Sequence, residues 1–140
     1  MTSVDLAQSY LIKAEKRLKI LEILLQEEDY SDVVREAQEI VELSLKGMMR
    51  YVGIEPPKIH DVGGLLLEHR NLFPEDVSRC LDRLASISKK LRKERELAFY
   101  GDVDFIPTEE YSDADAKEAI ENANFVVKTA KSLISGIKGR

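Results

Sequence analysis

Apolar side chains recur at three- and four-residue steps through nearly the whole chain, and that spacing commits it to amphipathic helices. The first stripe is Ala7, Leu11, Ala14, Leu18, Leu21 and Leu25, in a helix from about Val4 to Glu28 that Thr2 or Ser3 can cap. The acidic turn Glu27-Glu28-Asp29-Tyr30 ends it. Ser31 then caps a second helix with Val34, Ala37, Val41, Leu45, Met48 and Val52 in phase. Gly53 stops that helix and Pro56-Pro57 forbid its continuation, so the two arms form an antiparallel hairpin. A short helix capped by Asp61 carries Val62, Leu65, Leu66 and His69, weakened by Gly63-Gly64. Pro74, Glu75 and Asp76 open a long helix to Tyr100 with Val77, Cys80, Leu81, Leu84, Ile87, Leu91 and Ala98 inward, and Gly101 closes it. The polar segment from Asp102 to Tyr111 reads as an ordered loop or flap. Ser112 with Asp115 caps the last helix, whose inner face is Ala116, Ala119, Ile120, Ala123, Val127, Ala130, Ile134 and Ile137. No alternating run is bounded by hairpin turns. The expectation is all-α: a single up-and-down bundle of four long helices plus one short helix, one domain over residues 1–140.

Charge narrows the function. A net charge of −5 argues against indiscriminate nucleic-acid binding, but it leaves room for a local basic cleft. Lys89, Lys90, Arg92, Lys93 and Arg95 crowd the last turns of the long helix. The helix dipole accounts for cations there, the lysines above all. Arg95 is different, because at about 100° per residue it falls in the middle of the apolar stripe, beside Leu84 and Leu91. A guanidinium buried without a partner costs several kcal/mol, so a carboxylate, an anionic ligand or an interface must meet it. A second apolar edge on the first helix, at Leu6, Tyr10 and Leu24, suggests a twofold dimer that brings two Arg95 side chains together.

Other chemistries find little support. Gly63-Gly64 lacks the spacing and trailing lysine of a phosphate loop. His60, His69 and Cys80 make no zinc site, and no serine or cysteine comes with a local triad partner. Asp102 and Asp104, with Glu109 or Glu110, could hold magnesium, but acidic loops are usually just solvated, so no metal and no cofactor is expected. His60 and His69 read as structural, Cys80 as core, and Glu96 as an i+4 partner of Arg92. No apolar run reaches a membrane span, the start MTSVDLAQSY lacks the regions of a signal peptide, and the lone cysteine can form no internal disulfide. A cytoplasmic protein is expected.

The segment from Leu91 to Asp102, LRKERELAFYGD, resembles the signature stretch of the prokaryotic HEPN domains, in which an arginine precedes a histidine by four to six residues at the end of a long helix. The rest agrees in order: a hairpin with Ala37-Gln38-Glu39 in its second arm, a short helix opened by Pro57-Lys-Ile-His60-Asp61, and an alanine-rich last helix. The resemblance implies a ligand-binding set of Arg92, Arg95, Glu96, Tyr100 and Asp102 for a nucleotide or RNA phosphate. It also implies a homodimer, and a minimal nucleotidyltransferase as partner. In the ribonuclease members the arginine and histidine cleave RNA, and here Tyr100 stands in the histidine's place. An unperturbed phenol with a pKa near 10 is a poor base at neutral pH. Binding is therefore the expected function. The alternatives are a metal-independent, toxin-type endoribonuclease with Arg95 and Tyr100 as catalytic residues, and a purely structural subunit.

Overall fold

The computed structural model describes residues 2–56, 62–100 and 111–134, without the side chains of 94–100. Helix α1 spans Ser3–Gln26 behind a capping box in which Thr2 and Asp5 satisfy each other's backbone N–H groups. Glu27 ends it, and Glu28 takes a left-handed φ of 58° so that the amides of Glu28 and Asp29 reach the carbonyls of Leu25 and Leu24. Helix α2 spans Tyr30–Tyr51, so its N-cap is Asp29 and not Ser31, which lies buried in the first turn. The immediate return of the chain after Glu28 leaves no room for a cap two residues later. Gly53, at φ 88°, closes α2: its amide reaches Arg50 and that of Ile54 reaches Met49.

Helix α3 spans Val62–Glu68 and leads through a 3₁₀ turn, Arg70–Leu72, into a short α4, Glu75–Ser78. Helix α5 spans Leu81–Tyr100. The expected single helix from Pro74 is thus broken at Arg79-Cys80. There the ladder tightens, with the Cys80 amide bonding Val77, and the carbonyl of Ser78 accepts instead from the Arg70 guanidinium at 2.9 Å. The same guanidinium donates to Asp82 at 3.0 Å, so one side chain pins both sides of the break. Cys80, expected in the core, sits in this turn half-buried with its thiol toward the Asp76 carbonyl, because helical phase does not carry across the break. Helix α6 spans Asp113–Ile134, opened by the reciprocal Ser112–Asp115 cap.

Helix α2 is the hub, packing on α1, α6, α5 and, more lightly, α3. Its buried set extends beyond the expected stripe to Val33, Ile40, Ser44, Gly47 and Met49, since neighbours cover it on three sides. A Cβ built on Gly47 would lie 3.3 Å from Ala7 and Tyr10 and 3.6 Å from Ile134, which sets the end of α2 beside the start of α1 and the end of α6. Val34, at the other end of α2, shares a small cavity with Leu91 and Ala119. Hence α1 and α5 run one way, α2 and α6 the other. Among the described residues every regular element is helical, and no helix is long and apolar enough to cross a membrane.

Candidate functional site

The basic end of α5 is built by a stripe that stays in phase from Leu81 through Leu84, Ile87, Ser88 and Leu91, all buried. Arg92 follows, half-buried and already engaged by a neighbour; Lys89, Lys90 and Lys93 are exposed. The helix continues through Arg95, Glu96 and Tyr100, whose side chains lie outside the described residues, as does Asp102 altogether. By helical register Arg95 stands two turns beyond the buried Ser88, on the same line of the helix. The described structure therefore presents Arg92 and the lysines, while Arg95, Glu96, Tyr100 and Asp102 remain placed by sequence alone.

Helices α5 and α6 barely touch, and a shallow groove of about 660 Å³ runs between them, lined by Ser86, Ile87, Lys90, Glu118, Glu121 and Asn122. Two contacts bridge it. Lys90 pairs with Glu118, and the Arg83 guanidinium lies 3.7 Å over the Phe125 ring. Lys117 is held by Asp113 at 2.8 Å, and that hydrogen bond and charge push the ammonium's pKa upward. Two lysines near the groove are thus matched within the protein. Arg92 lies one residue from Leu91, which lines the smaller cavity with Val34, Tyr111 and Ala119.

Sequence reasoning passed over Gln38. It is 1 % exposed on α2, and among the described residues neither its amide nitrogen nor its oxygen has a hydrogen-bond partner. The signal was present: Gln38 stands in the phase of Val34, Val41 and Leu45. His69, by contrast, bonds its Nδ1 to the Leu65 carbonyl at 3.0 Å and closes α3, the structural role expected of it. His60, Asp104, Glu109 and Glu110 lie outside the described residues. Within them, no three His, Cys, Asp or Glu side chains gather as metal ligands would.

These features define a class: an antiparallel helical bundle whose third long helix carries a run of cations toward its C-terminal part, beside a groove. A family model for the HEPN domain matches residues 7–133. The fold is similar to the crystal structure of an archaeal HEPN homologue, 25% identical, with a TM-score of 0.66 over 91% of this chain and 97% of that one. A search of curated proteins gave no significant match. The chain belongs to the HEPN domain family.

Proposed function

We propose that the chain is a nucleotide- or RNA-phosphate-binding HEPN module, acting as a homodimer and as the partner of a minimal nucleotidyltransferase. The observation that carries this reading is the placing of Arg92 and Arg95 three residues apart at the end of α5. Residues at that spacing are neighbours on a helix surface, and two planar guanidiniums there can grip one phosphate by paired N–H donors. Glu96 orients the arginines, and Tyr100 offers a phenol donor and a ring on which a base can stack. Neither the arginines nor the Tyr100 phenol can take a proton at neutral pH as a histidine would, so the arginine and phenol set holds a phosphodiester without cutting it.

Calorimetry with ATP, AMP and a short single-stranded RNA tests this. Binding is expected to weaken with salt and to vanish in the Arg92→Ala, Arg95→Ala double variant. Equal binding by both proteins refutes the site. Ribonuclease assays on the same samples are expected to be blank. Robust cleavage that is lost in Tyr100→Phe would replace the binding reading with the enzyme one.

A further inference from the structure

A buried amide without partners destabilises a fold, yet α2 keeps one at Gln38, which is 1% exposed and meets no hydrogen-bonding group among the described residues. Register sets its place. Val34, one turn earlier and about 40° away round α2, lines a cavity of about 80 Å³ together with Leu91 of α5, Ala119 of α6 and Tyr111. Helix α5 runs antiparallel to α2 and α6 runs parallel to it. One turn onward, Gln38 therefore comes level with Ile87 of α5 and Ala123 of α6. Ile87 is also a wall of the larger groove, of about 660 Å³. Gln38 thus lies beneath the seam along which α5 and α6 barely touch.

The two cavities are parts of one cleft. Lys90, Glu118 and Asn122 line both, so the Lys90–Glu118 pair stands at their junction. Both side chains of that pair are more than half exposed, and such an ion pair parts at little cost. Charge then selects the guest. Lys90 faces Glu118 and Lys117 faces Asp113, while Glu118 and Glu121 put carboxylates on the α6 wall. A phosphate entering there would meet carboxylates beside lysines already matched, so the cleft favours a neutral molecule. It is also separate from the phosphate site, because Arg92 stands about 160° round α5 from Lys90.

From this we infer that the α5–α6 cleft is a second ligand site, for a neutral planar molecule presenting a hydrogen-bond donor beside an acceptor, and that Gln38 is kept unpartnered at its floor to meet that edge. A carboxamide holds a donor nitrogen beside an acceptor oxygen, so it pairs at two points with a nucleobase edge or with another carboxamide. Val34, Leu91 and Ala119 offer a flat ring an apolar surface, and the outer groove falls in the range of roughly 300–1,000 Å³ usual for small-molecule sites. The site goes beyond the phosphate reading and does not rest on it.

Proton–nitrogen correlation spectra of the full chain test it through the Gln38 side-chain amide, assigned by its loss in Gln38→Met. The probes are adenosine and nicotinamide, both neutral, with AMP as the charged counterpart. Adenosine or nicotinamide is expected to shift the Gln38 signals, and whichever binds more tightly tells a nucleobase guest from a carboxamide one. Gln38→Met should bind that probe at least about fivefold more weakly with its helix content unchanged by circular dichroism, since a two-point pair is lost. AMP should bind the cleft less tightly than adenosine. The Arg92→Ala, Arg95→Ala variant should bind adenosine as the wild type does, which separates failure here from failure of the phosphate site. Gln38 signals unmoved by either neutral probe at about 10 mM, tenfold above a dissociation constant of about 1 mM, overturn the site and leave the cleft to water. Undiminished binding by Gln38→Met overturns it too, as does a Gln38 shift that AMP produces more tightly than adenosine or that vanishes with the two arginines.

Discussion

Replacing Gly63 by alanine puts two ordinary effects in opposition, and the geometry decides which one wins. In a helix, alanine is favoured over glycine by about 1 kcal/mol, so propensity alone forecasts a more stable protein. But a Cβ at Gly63 would lie 2.7 Å from Ala85 Cα, 3.0 Å from its Cβ and 3.2 Å from its carbonyl oxygen. Carbon atoms settle at roughly 3.5–4.0 Å, and a Cα cannot rotate out of the way, so α3 must lift from α5 by close to an ångström. Overpacking of this kind costs about 1–3 kcal/mol, and it drags the buried Val62 and Leu66 with it. The net expectation is a loss of up to about 2 kcal/mol, or up to roughly 6 °C in Tm for a protein of this size. Urea denaturation read by circular dichroism measures it directly. Adding Ala85→Gly should recover only part of the loss, because the closest atom is the Cα, which remains. A Gly63→Ala protein more stable than the wild type by the full ~1 kcal/mol of helix propensity would show that α3 does not approach α5 this closely, and would refute the reasoning.

Gln38→Met is expected to raise stability by about 1 kcal/mol, since a buried amide whose two polar atoms find no partner among the described residues carries a desolvation cost of about 1–3 kcal/mol that a thioether of similar size avoids. A lower urea midpoint in this variant would mean the amide has a partner. Burial first, and then a hydrogen bond with the Asp32 carboxyl, push the pKa of Asp29 above its ordinary value. The folded state therefore binds the extra proton, and stability from this group falls as pH rises from ~4 through the raised value. Asp29→Asn should accordingly gain on the wild type at pH 7 and show no gain at pH 3, in unfolding followed across that range.

Much of this molecule was legible because its determinants are local. The Thr2 and Ser112 caps, the stop at Gly53 and the inner faces of α2 and, as far as Ile134, of α6 each depend on a few consecutive residues, and each appears where spacing and turn chemistry put it, while Ile137 lies outside the described residues. The resemblance around Leu91 to Asp102 was legible for the same reason, since it is a pattern along one helix, although the contacts of Arg95, Glu96 and Tyr100 are matters of what stands opposite them. Tertiary structure decided the rest. The break at Arg79-Cys80 needs Arg70, eight residues before Ser78, to take a carbonyl that a straight helix would have used. The burial of Gln38 could be read from its phase with Val34, Val41 and Leu45, but that no described group meets its amide depends on what the helices closing round α2 bring against it. Helix α1 carries two apolar edges of similar strength, Leu6, Tyr10 and Leu24 half-buried and Ile12, Ile20 and Ile23 exposed, and which one faces water was set by where α2 and α6 could reach. A sequence specifies the periodicity of a helix, but the hydrophobic effect has no direction, so only the packed neighbours determine which face they cover and which they leave exposed.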